Sequence, residues 1–380
     1  MPLLLPALYA ITDRRASRID RVPEIARRLV RLGVRCVQVR EKEMADRELL
    51  SAVEETRRYV SEVEGHLFVN DRADVARIAG TGVHLGEEDL PAADARRLLS
   101  GRAIGVSTHD EAAARRAFSD PAADYVAFGP VFESGTKTER PPRGLEALGR
   151  VAEGRTKPLV AVGGITAENV DAVLDAGADS AAMVSALYAG GLEEGTRRVL
   201  DRTRRRRPPG RIYLVGFMGS GKTIVGLKIA SRLRVPFVDL DTEIERASGR
   251  TVRALFEESG EPAFRHREAV FLGGTESLEN AVIATGGGAY IPEENRRAMR
   301  RLGRVVFLDV PFSVVRERLA GKTDRPLFQS VEQAARLFAE RDPFYRMGTL
   351  RVTLEGNESL EEAADRVLCA LDRPSRLTTA

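Results

Sequence analysis

Short apolar runs rich in β-branched and aromatic residues recur through the first half of this 380-residue chain. They occupy 8–12, 36–40, 66–70, 82–86, 103–107, 125–129, 159–164 and 180–185. Between them lie stretches with apolar residues three and four positions apart, such as VPEIARRLVRLG (22–33) and AENVDAVLDAGA (167–178). That is the spacing of a helix with one buried face. The runs are apolar nearly throughout, as strands covered on both faces are. Eight such strand–helix units in about two hundred residues predict an α/β fold, a compact (β/α)8 TIM barrel. A doubly wound open sheet is the alternative.

The pattern restarts at 211 with RIYLVGF, then a glycine-rich turn, then IVGLKIASRL at helical spacing. Further β-rich runs follow in PFVDLD, AVIATGGGA, VVFLDV and LRVTL, with helical segments between them. Five strands with helices predict a second, smaller α/β domain with a five-stranded parallel sheet. Between the halves lies RTRRRRPPG (202–210), whose prolines end any helix. The expected organisation is a barrel over 1–203, a stiff Arg/Pro linker over 204–210, the second domain over 211–372 and a disordered tail over 373–380.

Composition adds exclusions. Acids and bases are interleaved and the net charge is only +3, which speaks against a nucleic-acid footprint. The arginine run reads as solvated linker, not a nucleic-acid patch. No apolar run reaches membrane-spanning length, and MPLLLPALYA lacks the basic start of a signal peptide. Cys36 and Cys369 fall in separate domains at apolar positions and read as buried thiols. The expectation is a cytoplasmic protein with small-molecule partners and no nucleic acid or membrane. Its oligomeric state is not legible. Basic residues are nearly all arginine, with lysine only at 42, 137, 157, 222, 228 and 322. A lysine kept in such a chain suggests a site that needs a compact ammonium.

In a barrel, chemistry gathers where strands end. Polar residues stand there: Gln38, Arg40, Glu41 and Lys42; Asn70 and Asp71; Glu87, Glu88 and Asp89; Ser107 and Thr108; Ser134, Thr136 and Lys137; Gly163 and Gly164; Val184 and Ser185. Asp71 and Asp89 are hard oxygen donors suited to Mg2+. Arg40, Lys42 and Lys137 suit phosphate oxygens, and the glycines with Ser185 suit a second phosphate. The residues thus point to a Mg2+-dependent enzyme acting on phosphorylated small molecules. Glu87 and Glu88 read as solvated loop charges. His66 reads as structural, and His84 and His109 as structural or supporting groups beside the site.

The succession LYAITD, QVREK, NDR, GVHLGEEDLP, IGVSTH, DYVAFGPVF, TK, VGGI and VSAL resembles thiamine-phosphate synthase over nearly all of 7–203. The resemblance implies that a pyrimidine CH2-diphosphate is joined to a thiazole phosphate with release of diphosphate. It implies Asp71 and Asp89 as Mg2+ ligands. Gln38, Arg40, Lys42, Asn70, Ser107 and Lys137 would hold the pyrimidine diphosphate, Lys137 also acting in catalysis. Thr136, Gly164, Val184 and Ser185 would hold the thiazole phosphate, and Ser134 would belong to the substrate-binding set. One departure is the loop Glu133-Ser134-Gly135-Thr136-Lys137, where the family has Thr-x-Thr-Lys after a proline. A related tautomerase family lacks the Mg2+ chemistry, and the set Asp71, Asp89 and Lys137 argues against it.

In the second half, GFMGSGKT (216–223) fits G-x-x-x-x-G-K-[ST] between a strand and a helix, the setting of a phosphate-binding P-loop. Gly219, Ser220, Gly221, Lys222 and Thr223 would cradle ATP, with Lys222 on the β- and γ-phosphates and Thr223 on Mg2+. Asp239 and Asp241, one residue apart on an expected strand, should point the same way. One can serve Mg2+ and the other an acceptor hydroxyl. Arg265, the GGG of 286–288 and Arg341 suit an anionic, hydroxyl-rich acceptor. Arg325 lies in a loop of the type expected of a mobile lid. His266 reads as structural.

GFMGSGKT, FVDLD, the ASGRTV…LFEESGEPAFRHRE run, ATGGGA, RPL and RDPFY together resemble shikimate kinase over 211–372. The resemblance implies phosphoryl transfer from MgATP to the shikimate 3-hydroxyl. Asp241 would position that hydroxyl, and Arg265, Gly287, Gly288 and Arg341 would hold the acid. Arg325 would bridge phosphate and substrate, Arg318 would stack on adenine, and Asp239 would join Thr223 at the metal. Ile224 departs from the hydroxyl residue that many relatives carry there. The whole reads as a bifunctional enzyme with one Mg2+ per site. A kinase fused to a barrel kept as a scaffold is the rival reading, and the retained Asp71, Asp89, Lys42 and Lys137 speak against it.

Overall fold

A computed structural model describes residues 3–133, 141–206, 209–320 and 331–372. The chain divides into two compact units, 1–206 and 207–380.

In the first unit, eight strands form a closed, all-parallel barrel. They are β1 (Leu8–Ile11), β2 (Cys36–Val39), β3 (His66–Asn70), β4 (Gly82–Leu85), β5 (Ile104–Thr108), β6 (Tyr125–Phe128), β7 (Leu159–Val162) and β8 (Ser180–Met183). Closure is made by β8 on β1, with Leu8 opposite Ala181 and Ala10 opposite Met183. This settles the choice against an open sheet. The helices that cover the strands follow the expected periodicity. Val22–Leu32 starts with a proline in its first turn and ends at Gly33, whose φ of 108° lets its N–H bond back to Leu29 and Val30. Ile25, Ala26 and Leu29 on its inner face are fully buried.

The barrel centre is aromatic. Tyr9 stacks on Phe68 at 5.6 Å, and Phe68 meets Tyr125 edge-on at 5.1 Å. Gly105 makes room for this cluster, since a Cβ there would overlap the Tyr125 ring. Cys36 is a buried free thiol in the same cluster.

The helix Leu192–Arg205 closes the unit. It takes in Arg204 and Arg205, which the sequence reading assigned to the linker. Arg204 is buried, pairs with Asp201 and donates to the Leu32 carbonyl at 3.3 Å. Arg202 pairs with Asp171 at 2.5 Å, and Arg206 with Asp175 at 2.6 Å. The run therefore closes the barrel's outer layer as well as leading out of it.

The second unit holds β9 (Arg211–Val215), β10 (Phe237–Asp239), β11 (Ala281–Ala284), β12 (Gly303–Asp309) and β13 (Leu350–Thr353). They form one parallel sheet in the order β10-β11-β9-β12-β13. The central β9 is buried on both faces apart from its first residue, as its apolar run requires. Helix Lys222–Leu233 packs on the sheet. Gly226 lets it approach, since a Cβ there would stand 2.6 Å from the Phe237 ring. Cys369 is the second buried free thiol. No helix among the described residues is long and apolar enough to cross a membrane.

Candidate functional sites

In the barrel, the strand ends surround a cavity of about 540 Å3. Gln38, Arg40, Lys42, Asn70, Asp71, Asp89, Ser107, Gly164, Val184 and Ser185 all line it. Ser134, Thr136 and Lys137 lie outside the described residues. Exposed Glu87 and Glu88 stand at the rim.

Asp71 has a φ of 64°, a left-handed backbone unusual for a residue with a Cβ. Its N–H donates to the His84 carbonyl at 2.8 Å, which anchors that backbone. Asp89 accepts from the Gly86 N–H at 2.6 Å. Burial, then the neighbouring Asp89, push the Asp71 carboxyl up to about 6, against the pull of Lys42 and Arg40. Two carboxylates forced together in this way are a local excess of negative charge that a divalent cation relieves. Among the described residues no third carboxylate, His or Cys joins them. A metal held by this pair would have two protein ligands and would take the rest from substrate oxygens and water, as Mg2+ commonly does.

Across the cavity, Gly163 and Gly164 have φ of 98° and 64°. A Cβ on Gly164 would run into the Glu133 carbonyl. Glycine here lets the β6 and β7 loops touch while leaving backbone amides at the cavity wall. The histidines are tied in as neighbours of the site. His84 bonds to Ser107 Oγ at 2.9 Å, and His109 Nδ1 lies 2.6 Å from the Gly129 carbonyl. His66 bonds to the Leu4 carbonyl at 2.9 Å, away from the cavity.

In the second unit, β9 runs into the loop Gly216–Gly221 and then the helix from Lys222. Gly216, Gly219 and Gly221 have φ of 144°, 79° and 95°. These values turn the chain tightly ahead of the helix N-terminus. The Lys222 ammonium donates to the Gly216 and Phe217 carbonyls at 2.9 and 3.0 Å. Ser220 is buried within the loop. Thr223 Oγ1 donates to Asp239 Oδ2 at 2.7 Å, so these two expected metal ligands stand together. Arg318 donates to the Gly219 carbonyl at 3.3 Å, which places it beside the loop. Ile224 is exposed on the helix's first turn. Arg325 lies outside the described residues.

One expectation is corrected here. Asp239 and Asp241 do not share a strand face. Asp239 ends β10 and caps the helix Leu240–Ser248 by accepting from the Thr242 N–H at 3.3 Å. Asp241 is in that helix's first turn. An Asp at the end of a short strand is a strong helix N-cap, and capping turns the chain before the alternation can continue.

Asp241 nevertheless reaches the expected neighbours. A Cβ on Gly286 would stand 2.8 Å from Asp241 Oδ1 and would collide with Glu268; one on Gly288 would collide with the Arg265 guanidinium. Arg341 donates to the Gly287 carbonyl at 3.3 Å, and Tyr345 donates to it too. The GGG turn is thus bare so that Asp241, Arg265 and Arg341 can converge on it. Glu268 was not anticipated. It is fully buried and accepts from Arg265 Nη1 at 2.7 Å. Burial and nearby Asp241 hold its carboxyl above the usual range, against Arg265. The available signal was the i,i+3 spacing in FRHRE, which puts Arg265 and Glu268 on one helix face.

The profile of the thiamine monophosphate synthase family matches residues 8–187, and that of the shikimate kinase family matches 218–372. Thiamine-phosphate synthase from Methanoculleus marisnigri is 41% identical over 208 residues, 54% of this chain and 98% of the relative. Shikimate kinase from Persephonella marina is 40% identical over 146 residues, 38% of this chain and 89% of the relative. Shikimate kinase from Aquifex aeolicus is 37% identical over 163 residues, 43% of this chain and 96% of the relative. Each relative is spanned by one unit and leaves the other free. The chain is a bifunctional enzyme, belonging to the thiamine-phosphate synthase family through its first unit and to the shikimate kinase family through its second.

Proposed function

We propose that the barrel cavity joins a pyrimidine CH2-diphosphate to a thiazole phosphate, and that the P-loop unit phosphorylates the shikimate 3-hydroxyl with ATP. The carrying observation for the barrel is that ten expected residues, from Gln38 to Ser185, line one cavity. For the second unit it is the convergence of Asp241, Arg265 and Arg341 on a bare GGG turn.

In the barrel, Arg40 and Lys42 bind the diphosphate oxygens, and Asn70 and Ser107 add hydrogen bonds. Gln38 faces the pyrimidine ring. Gly164, Val184 and Ser185 hold the thiazole phosphate on the far wall, and Ser134, Thr136 and Lys137 complete the set. The C–O bond to diphosphate breaks, and the electron pair leaves with the diphosphate. The thiazole nitrogen then supplies the pair that forms the new C–N bond. Cationic side chains preorganised around the leaving group stabilise the charge it gains. Both families work with Mg2+ in general. Held by Asp71 and Asp89, that ion would neutralise the departing diphosphate.

In the P-loop unit, Lys222 exchanges its two carbonyl partners for β- and γ-phosphate oxygens. Gly219, Ser220 and Gly221 offer backbone amides to the phosphates, Thr223 and Asp239 would hold the metal, and Arg318 packs on the adenine. Arg265 and Arg341 hold the shikimate carboxylate beside Gly287 and Gly288. Asp241 orients the acceptor hydroxyl toward the γ-phosphorus, and Arg325 bridges phosphate and acid. Assaying one purified chain with both substrate pairs tests the reading. Thiamine phosphate and shikimate 3-phosphate should both form, each only with its own pair and with Mg2+. A chain that makes one product and not the other contradicts it.

A further inference from the structure

A line of hydrogen bonds crosses the barrel interior along the cavity floor, and the roles above leave its middle members unused. Gln38 Nε2 donates to Tyr9 Oη at 3.0 Å. The Tyr9 and Tyr125 hydroxyls lie 2.9 Å apart. Tyr125 Oη is 2.9 Å from His84 Nδ1, and His84 Nε2 is 2.9 Å from Ser107 Oγ. These residues come from β2, β1, β6, β4 and β5. Tyr9 and Tyr125 are 1% and 0% exposed. All five line the cavity, with Gln38 and Ser107 as the two ends of the line.

Proton counting restricts this line. Each phenol has one proton to give, and a neutral imidazole has one N–H. Two arrangements put one proton in every bond. In the first, protons point from Gln38 to Ser107: amide N–H to Tyr9, Tyr9 O–H to Tyr125, Tyr125 O–H to His84 Nδ1, and His84 Nε2–H to Ser107. Gln38 then offers the cavity its carbonyl oxygen, and Ser107 offers its O–H. In the second, all four bonds reverse, the Gln38 amide is turned over, and Ser107 offers a lone pair. Any mixture leaves two protons, or none, between one pair of buried atoms, and a buried group without its partner is costly. The amide stands in the first orientation. Burial holds both phenols well above the usual tyrosine range, so neither ionises to relieve a mixture.

We propose that Tyr9, Tyr125 and His84 are positioning residues that couple the two ends of this line, so that the cavity selects a donor at Gln38 together with an acceptor at Ser107. This rests on the reading of Gln38 and Ser107 as contacts of the aminopyrimidine diphosphate. The ring's amino group is the donor that Gln38 Oε1 takes. The ring nitrogens and the diphosphate oxygens are acceptors suited to Ser107. A competitor with a keto oxygen in place of the amino group needs the Gln38 amide to turn over. In the intact line that turn also reverses three further bonds and the polarity of Ser107. Selectivity against the competitor is thereby enforced from the buried floor of the cavity.

The test compares kcat/KM for the amino substrate and its keto analogue in the full chain and in Tyr9→Phe, Tyr125→Phe and Phe68→Leu variants. Loss of either hydroxyl lets the amide turn over without the rest of the line. The wild type should prefer the amino substrate by on the order of a hundredfold or more. Both tyrosine variants should lose about tenfold or more of that preference, mainly through a lower KM for the keto analogue. Phe68 packs against both tyrosines but carries no hydroxyl, so Phe68→Leu should lower the melting temperature and keep the preference. A preference unchanged within about twofold in both tyrosine variants overturns the coupling and leaves the Gln38 and Ser107 contacts standing. An equal loss in Phe68→Leu overturns it in favour of packing. A wild type with no preference overturns the Gln38 contact and the coupling with it.

Discussion

The two sites hold their charged groups in opposite ways. In the barrel, burial and the neighbouring Asp89 push Asp71 up to about 6, and nearby Lys42 and Arg40 offset only part of this. In the P-loop unit, the key cations already have protein partners: Lys222 on two loop carbonyls, Arg265 on Glu261 and Glu268, Arg341 on Gly287. A rigid ring of strand ends can keep like charges together, because the closed sheet does not relax. A glycine-rich loop and helix ends move more freely, so their charged side chains turn to internal partners that substrates then replace. The barrel site should respond most to metal and pH. The P-loop site should respond most to loss of single cations.

The largest effect expected is at Lys222. Lys222→Ala should lower shikimate phosphorylation by on the order of a hundredfold or more, as removal of a preorganised charge donor does. Thiamine phosphate synthesis by the same chain should be unchanged. Near-normal kinase turnover would break the contrast.

Asp241 and Arg341 sharpen it. Asp241→Asn removes a group acting on the reacting hydroxyl, and kcat should fall by about tenfold to a hundredfold. Arg341→Leu removes a partner of the acid, and the KM for shikimate should rise by about tenfold with a smaller change in kcat. Steady-state kinetics with shikimate varied at saturating ATP separates the two, and reversed signatures contradict the placement.

At the barrel site, Asp71→Asn should raise the Mg2+ concentration needed for half-maximal condensation by about tenfold and leave the kinase untouched. The wild-type carboxyl also sets a pH dependence. Its folded-state value lies above the ordinary carboxylate range, so its contribution to stability is present at low pH and is lost as pH rises through about 6. Mg2+ must displace that proton below about 6 and meets a bare carboxylate above it. Mg2+ should therefore raise the barrel's melting temperature more at about pH 7.5 than at about pH 5.5. Equal shifts would deny the pair its metal role.

A smaller effect is expected at Gly105. A Cβ there overlaps the Tyr125 ring, so Gly105→Ala should cost the barrel about 1–3 kcal/mol. The kinase's activity and melting transition should stay in place.

Both sheets were legible because parallel strands buried on both faces leave continuous apolar runs, and all thirteen strands fall in β-rich runs, although the edge strands β10 and β13 are only partly buried. Most described site residues were legible too, because a barrel collects chemistry at strand ends and a P-loop has a strict spacing. What escaped depends on contacts between residues distant in sequence. Nothing near position 9 or 125 shows that their hydroxyls meet inside the barrel. Glu268 looked like one more charge in FRHRE until burial tied it to Arg265. Asp241 was put on a strand because two-residue alternation continued through VDLD, whereas capping by Asp239 stopped the strand first. The arginines near 204 read as solvated because their partners, Leu32 and Asp171, lie far earlier in the chain.

The central claim is that each activity belongs wholly to one unit. Each unit has a complete sheet, and each site draws its residues from one side of the boundary at 206/207. The most direct test is to express 1–206 and 207–380 separately and assay each with both substrate pairs. The account predicts that the first fragment makes thiamine phosphate, the second phosphorylates shikimate, and each stays within a fewfold of the full chain's rate. A fragment that folds but stays inactive until the other is added would contradict it.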